Sequence, residues 1–500
     1  MHLKHLYLGG LVLSFVASFL LHWEVFSRDI SGMHDWRQTQ TMWNVRNFAR
    51  YDNNIRNPRV SHFNGANNNI LRLEYPIMQW GIAQVARLTG REVLTARICV
   101  WIFGIFGLIA FYGLLRTMHF HAGVAVAGTI LLQFSPVFYF YTVNVLPDFF
   151  ALSAGLWYLL FSFLYYRDRR WWQLLGAAVA LMVASLAKLP FAMLGIIGVV
   201  FVLTEIMHHR RITRDVLVYV VVHLVFFSAT VNWYVAVIPT WTGNPVLYGV
   251  FESTNSSAEN WRIFYHWTEQ YIPYDLTSPP IWPFFVLGAL LPATRSRTGV
   301  GYGKYVWSLA FITLLYVALQ WNTITFVHDY YLLPLLPWIY IVVTAGLGRI
   351  WQWCQLLPRR WDYVLGSLLV VPPLIYAPEV AADLRDARWE PFYGSYYGQV
   401  KDVYTYQEEL QAISEPDDKV IVLNDNSRQI FTWILRRRGY VFDKNGLRPN
   451  WIADMVNNQG VSYLYSNTRS FEQRADIAPI LDSLVASYGE INVYYLSDVE

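Results

Sequence analysis

The sequence predicts a polytopic α-helical membrane protein with a small C-terminal α/β domain, and three observations carry that prediction. The 500 residues are 55% hydrophobic and 17% aromatic but only 15% charged, whereas a soluble domain carries about 25% charge. About eleven apolar stretches are long enough to cross a bilayer. Beyond Pro378 the composition changes: charge becomes dense and short strand and helix patterns alternate. The 22 Trp and 34 Tyr suit interfacial belts, where an amphipathic ring sits at headgroup depth. Cys99 and Cys354 both fall in or beside apolar stretches, which argues against a disulfide framework. A net charge of +3 gives no reason to expect a nucleic-acid partner.

The expected spans begin near residues 5, 94, 122, 149, 171, 190, 216, 279, 305, 329 and 363. Lys4 precedes the first, and no small-residue cleavage site follows it, so this run reads as a retained span rather than a signal peptide. Basic clusters at Arg116 to His121, Arg167 to Arg170, His208 to Arg214, Arg295 to Arg297 and Arg349 to Arg360 all fall on the side of Lys4. By the positive-inside rule that side is cytoplasmic. The opposite face receives segment 24–93, the loop 236–278, short loops near 148, 188 and 325, and everything after 379. Lys188-Leu189-Pro190 leaves almost no loop between two spans, but merging them would invert every later basic cluster.

Segment 24–93 reads as two amphipathic helices lying in the membrane interface, joined by a loop. Met42, Val45, Phe48 and Ala49 recur at helical spacing between Trp36 and Arg50. A second helix starts at Pro76, carries Ile77, Trp80, Gly81, Gln84, Val85 and Leu88 on one face and stops at Gly90. Asn53 to Asn69 reads as the loop. In the C-terminal domain, 379–500, strands are expected at Lys419 to Asn424, Val461 to Tyr465 and Val493 to Leu496. Helices are expected at Arg428 to Arg438 and Phe471 to Tyr488. The Arg436-Arg437-Arg438 run reads as a solvated face.

Acids are nearly absent from the apolar stretches, and the exceptions sit at their ends. Asp35 follows the first span, Asp148 lies between the third and fourth, and Asp329 opens the tenth. The topology puts all three on the outer face. A carboxylate at a membrane edge is costly, so several on one face suggest a site.

In chain order come His34-Asp35-Trp36-Arg37-Gln38, Leu73-Glu74-Tyr75-Pro76, Asn144 to Asp148, Lys188-Leu189-Pro190 and His328-Asp329-Tyr330-Tyr331-Leu332-Leu333-Pro334. Over residues 1–378 this series resembles the polytopic C-type glycosyltransferases that use polyprenyl-phosphate sugars. It is most similar to the bacterial branch akin to protein O-mannosyltransferases and the lipid A aminoarabinose transferase. Two departures keep either acceptor from carrying over. Asp35 is followed by Trp36 where the mannosyltransferases have an acidic pair, and Glu74 by Tyr75 where the lipid A enzyme has a lysine.

The resemblance implies sugar transfer to an acceptor hydroxyl at the periplasmic face of the inner membrane, with inversion and Asp35 as general base. Asp148 and Glu74 would orient that base, bind the sugar or contact the acceptor. A phosphate leaving group needs cations or donors more than a general acid, which points to Arg37, Lys188 and His328. Tyr330 and Tyr331 would stack on the sugar or bond its phosphate. A divalent cation could assist, but no ligand spacing demands one.

Each residue also has a plainer reading. Asp35 and Gln38 have capping-box spacing, Asp148 and Glu74 suit helix starts, Lys188 could snorkel to the headgroups, and the tyrosines suit a belt. Two other function classes compete. A transporter or flippase would bury polar residues near span centres, where only Gln133 and Asn232 stand out. A membrane scaffold with an outer binding domain leaves the first-loop acids unexplained.

Overall fold

The computed structural model describes residues 2–63, 68–241, 255–290, 302–321, 324, 328–389, 397–444, 446–481 and 483–497. The basic cluster Arg295 to Arg297 and the short loop near 325 lie outside the described residues. The chain forms two compact units. One comprises Met1–Ser27, Leu73–Met78 and Ala96–Arg385, and the other Arg28–Arg72, Gln79–Thr95 and Asp386–Glu500.

The first unit is helical. Among the described residues, six helices are long and apolar enough to cross a bilayer: Glu92–Thr117, Pro147–Asp168, Leu189–His209, Arg214–Thr240, Asp329–Cys354 and Val364–Arg388. Shorter apolar helices cover Tyr7–Leu21, Ala122–Gln133, Trp171–Ala187, Pro279–Leu290 and Gly303–Leu319. The doubtful break at Lys188 is real. The helix Trp171–Ala187 stops there, Lys188 is extended, and a 3-10 turn, Leu189–Gly195, leads into the helix Ile196–His209. Pro190 explains it, since it has no N–H to continue the preceding helix. Gln133, one of the two mid-span polar residues, is bonded between helices. Its amide accepts the Ser14 hydroxyl at 2.8 Å and donates to Ser14 O at 2.9 Å, clamping two helices together.

The second unit joins the early segments Arg28–Arg72 and Gln79–Thr95 to the C-terminal segment, which carries a five-stranded sheet. Its strands are β1 (Lys419–Leu423), β2 (Arg438–Phe442), β3 (Val461–Ser466), β4 (Ser483–Tyr488) and β5 (Ile491–Tyr495). The order is β2-β1-β3-β5-β4, with β1 parallel to β2 and β3, and β5 antiparallel to β3 and β4. The interior strand β1, between β2 and β3, is buried on both faces, as parallel strands are. Val420 and Val422 meet the helix Ile430–Leu435, while Ile421 and Leu423 pack with Ile452 and Met455 of the helix Pro449–Asn457.

Two expectations for this region fail. Phe471 to Tyr488 is not a helix but a short helix, Arg469–Glu472, a 3-10 turn, Ala478–Ile480, and the edge strand β4. Apolar residues recur there at helical spacing, yet Pro479 interrupts the ladder and Gly489, at φ 57°, turns β4 back into β5. The expected Arg428 to Arg438 helix is trimmed to Ile430–Leu435, with Arg436 left-handed and Arg438 opening β2. Gly439 follows because a Cβ there would overlap Val420 O of the neighbouring strand.

The arginine run is not a solvated face either. Arg436 pairs with Asp29 and stacks 4.2 Å from the Trp433 ring. Arg437 is buried and donates to the carbonyls of Gln411, Ser414 and Leu435, and Arg438 lies 3.6 Å over Tyr51. These arginines bind the first interspan segment to the C-terminal one. The edge of β2 takes part as well, through a parallel bridge between Gly439 and His62.

The helix Asp35–Arg50 buries its polar residues with its apolar ones: Asp35, Arg37, Gln38, Gln40, Asn44 and Asn47 are all covered, as are Met42, Val45 and Phe48. Protein rather than solvent therefore covers the face expected to be polar. In the helix Ile77–Thr89 the covered face is Met78, Gln79, Ile82, Ala83 and Ala86. Of the face singled out from the sequence, Val85 and Leu88 are exposed, Leu88 at 88%, while Ile77, Trp80, Gly81 and Gln84 are half-buried.

Candidate active site

In the first unit, five of the residues singled out from the sequence meet: Asp148, Lys188, His328, Tyr330 and Tyr331. Asp148 stands in the first turn of Pro147–Asp168, set there by Pro147. The extended break at residue 188 aims Lys188 at it, with Nζ 3.2 Å from Asp148 Oδ1. The lysine does not snorkel: its side chain is 13% exposed and that of Asp148 2%. The ammonium also lies 5.4 and 5.3 Å from the rings of Tyr330 and Tyr331. Those tyrosines lie on the 3-10 turn Asp329–Leu335, which His328 precedes, its ring 5.6 Å from Tyr330.

Asp329, named from the sequence without a role, is fully buried and accepts the Tyr141 hydroxyl. Tyr141 in turn meets the edge of Tyr330. Nothing in the local sequence marked Tyr141, one aromatic among several in an apolar helix. Glu74 is buried in the strip Leu73–Met78, which the corner before Lys188 holds. Tyr75 N donates to Leu186 O at 2.9 Å, and the indole of Trp233 donates to Leu73 O at 3.1 Å. In this cluster the Lys188 ammonium and the phenols can donate hydrogen bonds to a phosphate, and the carboxylates can accept them from sugar hydroxyls.

Asp35 and Arg37 belong to the second unit. His34, at φ 62°, is the N-cap of the helix that Asp35 opens. The capping-box expectation is not met, because His34 rather than Asp35 is the N-cap, and the Asp35 N–H goes to Gly32 O at 3.1 Å. Arg37 is buried and bonds Gln40. The carboxylate of Asp35 is 1% exposed. It accepts the Trp36 N–H at 2.7 Å on Oδ1 and the Tyr404 hydroxyl at 3.0 Å on Oδ2. Burial, opposed by these two bonds and reinforced by the nearby Asp425 carboxylate, pushes its pKa up to about 7. An acid held there is suited to take a proton at neutral pH.

Among the described residues no group of three or more His, Cys, Asp or Glu is placed to hold a metal ion.

The family-model match spans the segment that carries Asp148 and Lys188. Residues 74–234 match the family model of dolichyl-phosphate-mannose-protein mannosyltransferase. No curated protein sequence matches the chain. Among solved structures, ArnT from Cupriavidus metallidurans superposes with a TM-score of 0.63 at 14% identity, covering 98% of each chain. The chain has the C-type glycosyltransferase fold. The resemblance read from the motifs thus stands at the level of architecture. The C-type fold recurs in the oligosaccharyltransferase AglB from Archaeoglobus fulgidus, with a TM-score of 0.56 at 14% identity over 93% of this chain and 69% of that one. Mycobacterial arabinofuranosyltransferase AftD gives 0.57 at 14%, over 98% of this chain and 41% of its own. ArnT has also been solved bound to undecaprenyl phosphate, and AglB in complex with an inhibitory peptide and a dolichol-phosphate.

Proposed function

We propose that this protein is an inverting membrane glycosyltransferase that moves a monosaccharide from a polyprenyl-phosphate carrier to an acceptor hydroxyl. The observation that carries the reading is the fold match to ArnT along 98% of the chain. The reaction takes place at the periplasmic face of the cytoplasmic membrane. Eleven helices cross that membrane from a cytoplasmic N-terminus. Residues 1–378 carry the donor chemistry, and 379–500 form an extracytoplasmic domain. The uncovered Val85 and Leu88 rest in the lipid interface.

Asp35 takes the proton of the acceptor hydroxyl. The acceptor oxygen attacks the anomeric carbon, the bond from that carbon to the phosphate oxygen breaks, and its electron pair leaves on the phosphate. Lys188, Arg37 and His328 stabilise the charge that develops there. Tyr330 and Tyr331 hold the sugar or its phosphate, and Asp148 and Glu74 orient the reacting groups. Asp148 also fixes the Lys188 ammonium at 3.2 Å.

Native mass spectrometry of the detergent-purified protein tests the donor. A bound polyprenyl-phosphate hexose or pentose supports the reading and names the sugar mass. Bulk phospholipid alone, after incubation with a panel of polyprenyl-phosphate sugars, would sink it. Asp35→Asn tests the base: an enzyme loses transfer, whereas a scaffold tolerates the change.

A further inference from the structure

The proposed reaction assigns no part to the C-terminal segment, yet that segment holds the proposed base. Asp35 Oδ2 accepts a hydrogen bond from Tyr404, a residue 369 positions further along. Tyr404 lies on the helix Tyr397–Thr405, which packs on the helix Ile430–Leu435. We infer that Tyr404 is a positioning residue for the general base, so that the C-terminal segment helps to build the catalytic acid–base group. The inference rests on the reading of Asp35 as base.

The packing fixes both partners from one core. Tyr404 and Trp36 lie against the same apolar cluster, which includes Val400, Val403, Ile430 and Ile434. A phenylalanine at 404 would fill that space equally well. What tyrosine adds is the hydroxyl, and it goes to Asp35 Oδ2. The Trp36 N–H holds Oδ1, so the two donors together set the rotamer of the carboxylate.

The bond also affects charge. Burial and the Asp425 carboxylate both oppose ionisation of Asp35, while the Tyr404 hydroxyl and the Trp36 N–H favour it. Asp425 is held in place by bonds from Ser427 and Phe431, the latter at 3.0 Å. Burial first, then the Asp35 carboxylate, with Asp29 and Asp425 adding to it, keep Tyr404 protonated and therefore a donor, since all of them disfavour a phenolate. Without Tyr404 the base would be less ionised at neutral pH and held by the Trp36 N–H alone.

The test titrates Asp35 in the full-length protein in lipid nanodiscs by infrared difference spectroscopy, with the Asp35 band defined as the one missing from Asp35→Asn. In Tyr404→Phe the midpoint should lie about one pH unit above wild type, roughly a tenfold higher proton affinity, because a bond to the charged form is lost. Site-specific 3-fluorotyrosine at 404, a stronger donor with nearly the same packing, should move it down; this arm stands even if Tyr404→Phe folds poorly. An unchanged midpoint in both overturns the inference. Transfer assays separate this failure from failure of the underlying reading. Loss of transfer in Asp35→Asn with a wild-type pH profile in Tyr404→Phe overturns the positioning role and keeps the base. Full transfer by Asp35→Asn removes the base and the inference with it.

Discussion

Replacing Lys188 by Met keeps an unbranched apolar stem, one atom shorter, and removes the charge, which separates two meanings of the pair with Asp148. At 3.2 Å and an effective dielectric constant of about 20, the attraction is about 5 kcal/mol. Against it stands a cost of several kcal/mol for taking each ion out of water. The intact pair is therefore close to neutral for stability, but breaking it leaves a carboxylate that is 2% exposed without its ammonium, at about 3–5 kcal/mol. Lys188→Met should lower the unfolding free energy by roughly 3 kcal/mol, measured by SDS titration in mixed micelles with tryptophan fluorescence. Adding Asp148→Asn should bring the double variant back to within about 1–2 kcal/mol of wild type. Release of polyprenyl phosphate from the donor should not return, because both groups then no longer serve the proposed site. Wild-type stability in Lys188→Met would refute the buried-pair argument. Recovery of transfer along with stability would make the pair a structural clamp and nothing more.

Asp35→Asn should show the opposite balance of stability and function. Because the folded-state pKa is raised from 3.8 to about 7, the native state keeps this proton through that window, and the stability it brings is lost as pH rises through 7. The variant should therefore be more stable than wild type at pH 8, on the order of 4 kcal/mol at most, while wild-type transfer climbs as pH passes 7; a variant less stable at pH 8 would count against this. Gly346→Ala would drive a Cβ into the backbone at Phe284 O, which cannot swing aside, and should cost about 2–3 kcal/mol. Gly303→Ala, with nothing within 4 Å of the new Cβ, is the silent control in the same titration. Gly489→Ala forces a side chain into φ 57° and should cost about 1–2 kcal/mol. Hydrogen exchange should rise in β4 and β5 and stay unchanged in β1.

What the sequence determined by itself is what nearest neighbours determine. Apolar runs place the membrane helices because the bilayer reads composition over about 20 residues. Pro147, Pro190 and Gly90 mark helix ends through their own backbone constraints. The strands at Lys419 and Val461 show in their β-branched and aromatic residues, and the acids at span ends show as costly exceptions to an apolar rule. The tertiary structure decided what approaches each of these from far along the chain. Ser483 to Tyr488 is a strand because β5 offers it an antiparallel edge, although its local spacing fits a helix. Three consecutive arginines are covered because Asp29, Tyr51 and the carbonyls near Ser414 meet them. Lys188 faces Asp148 rather than the headgroups because one extended residue aims it there. Tyr404 looked like one of 34 tyrosines until a partner 369 residues away gave its hydroxyl a carboxylate. Local pattern carries each residue's own preferences. Charge state and bonding depend on the other side of the contact, and only the folded chain supplies that.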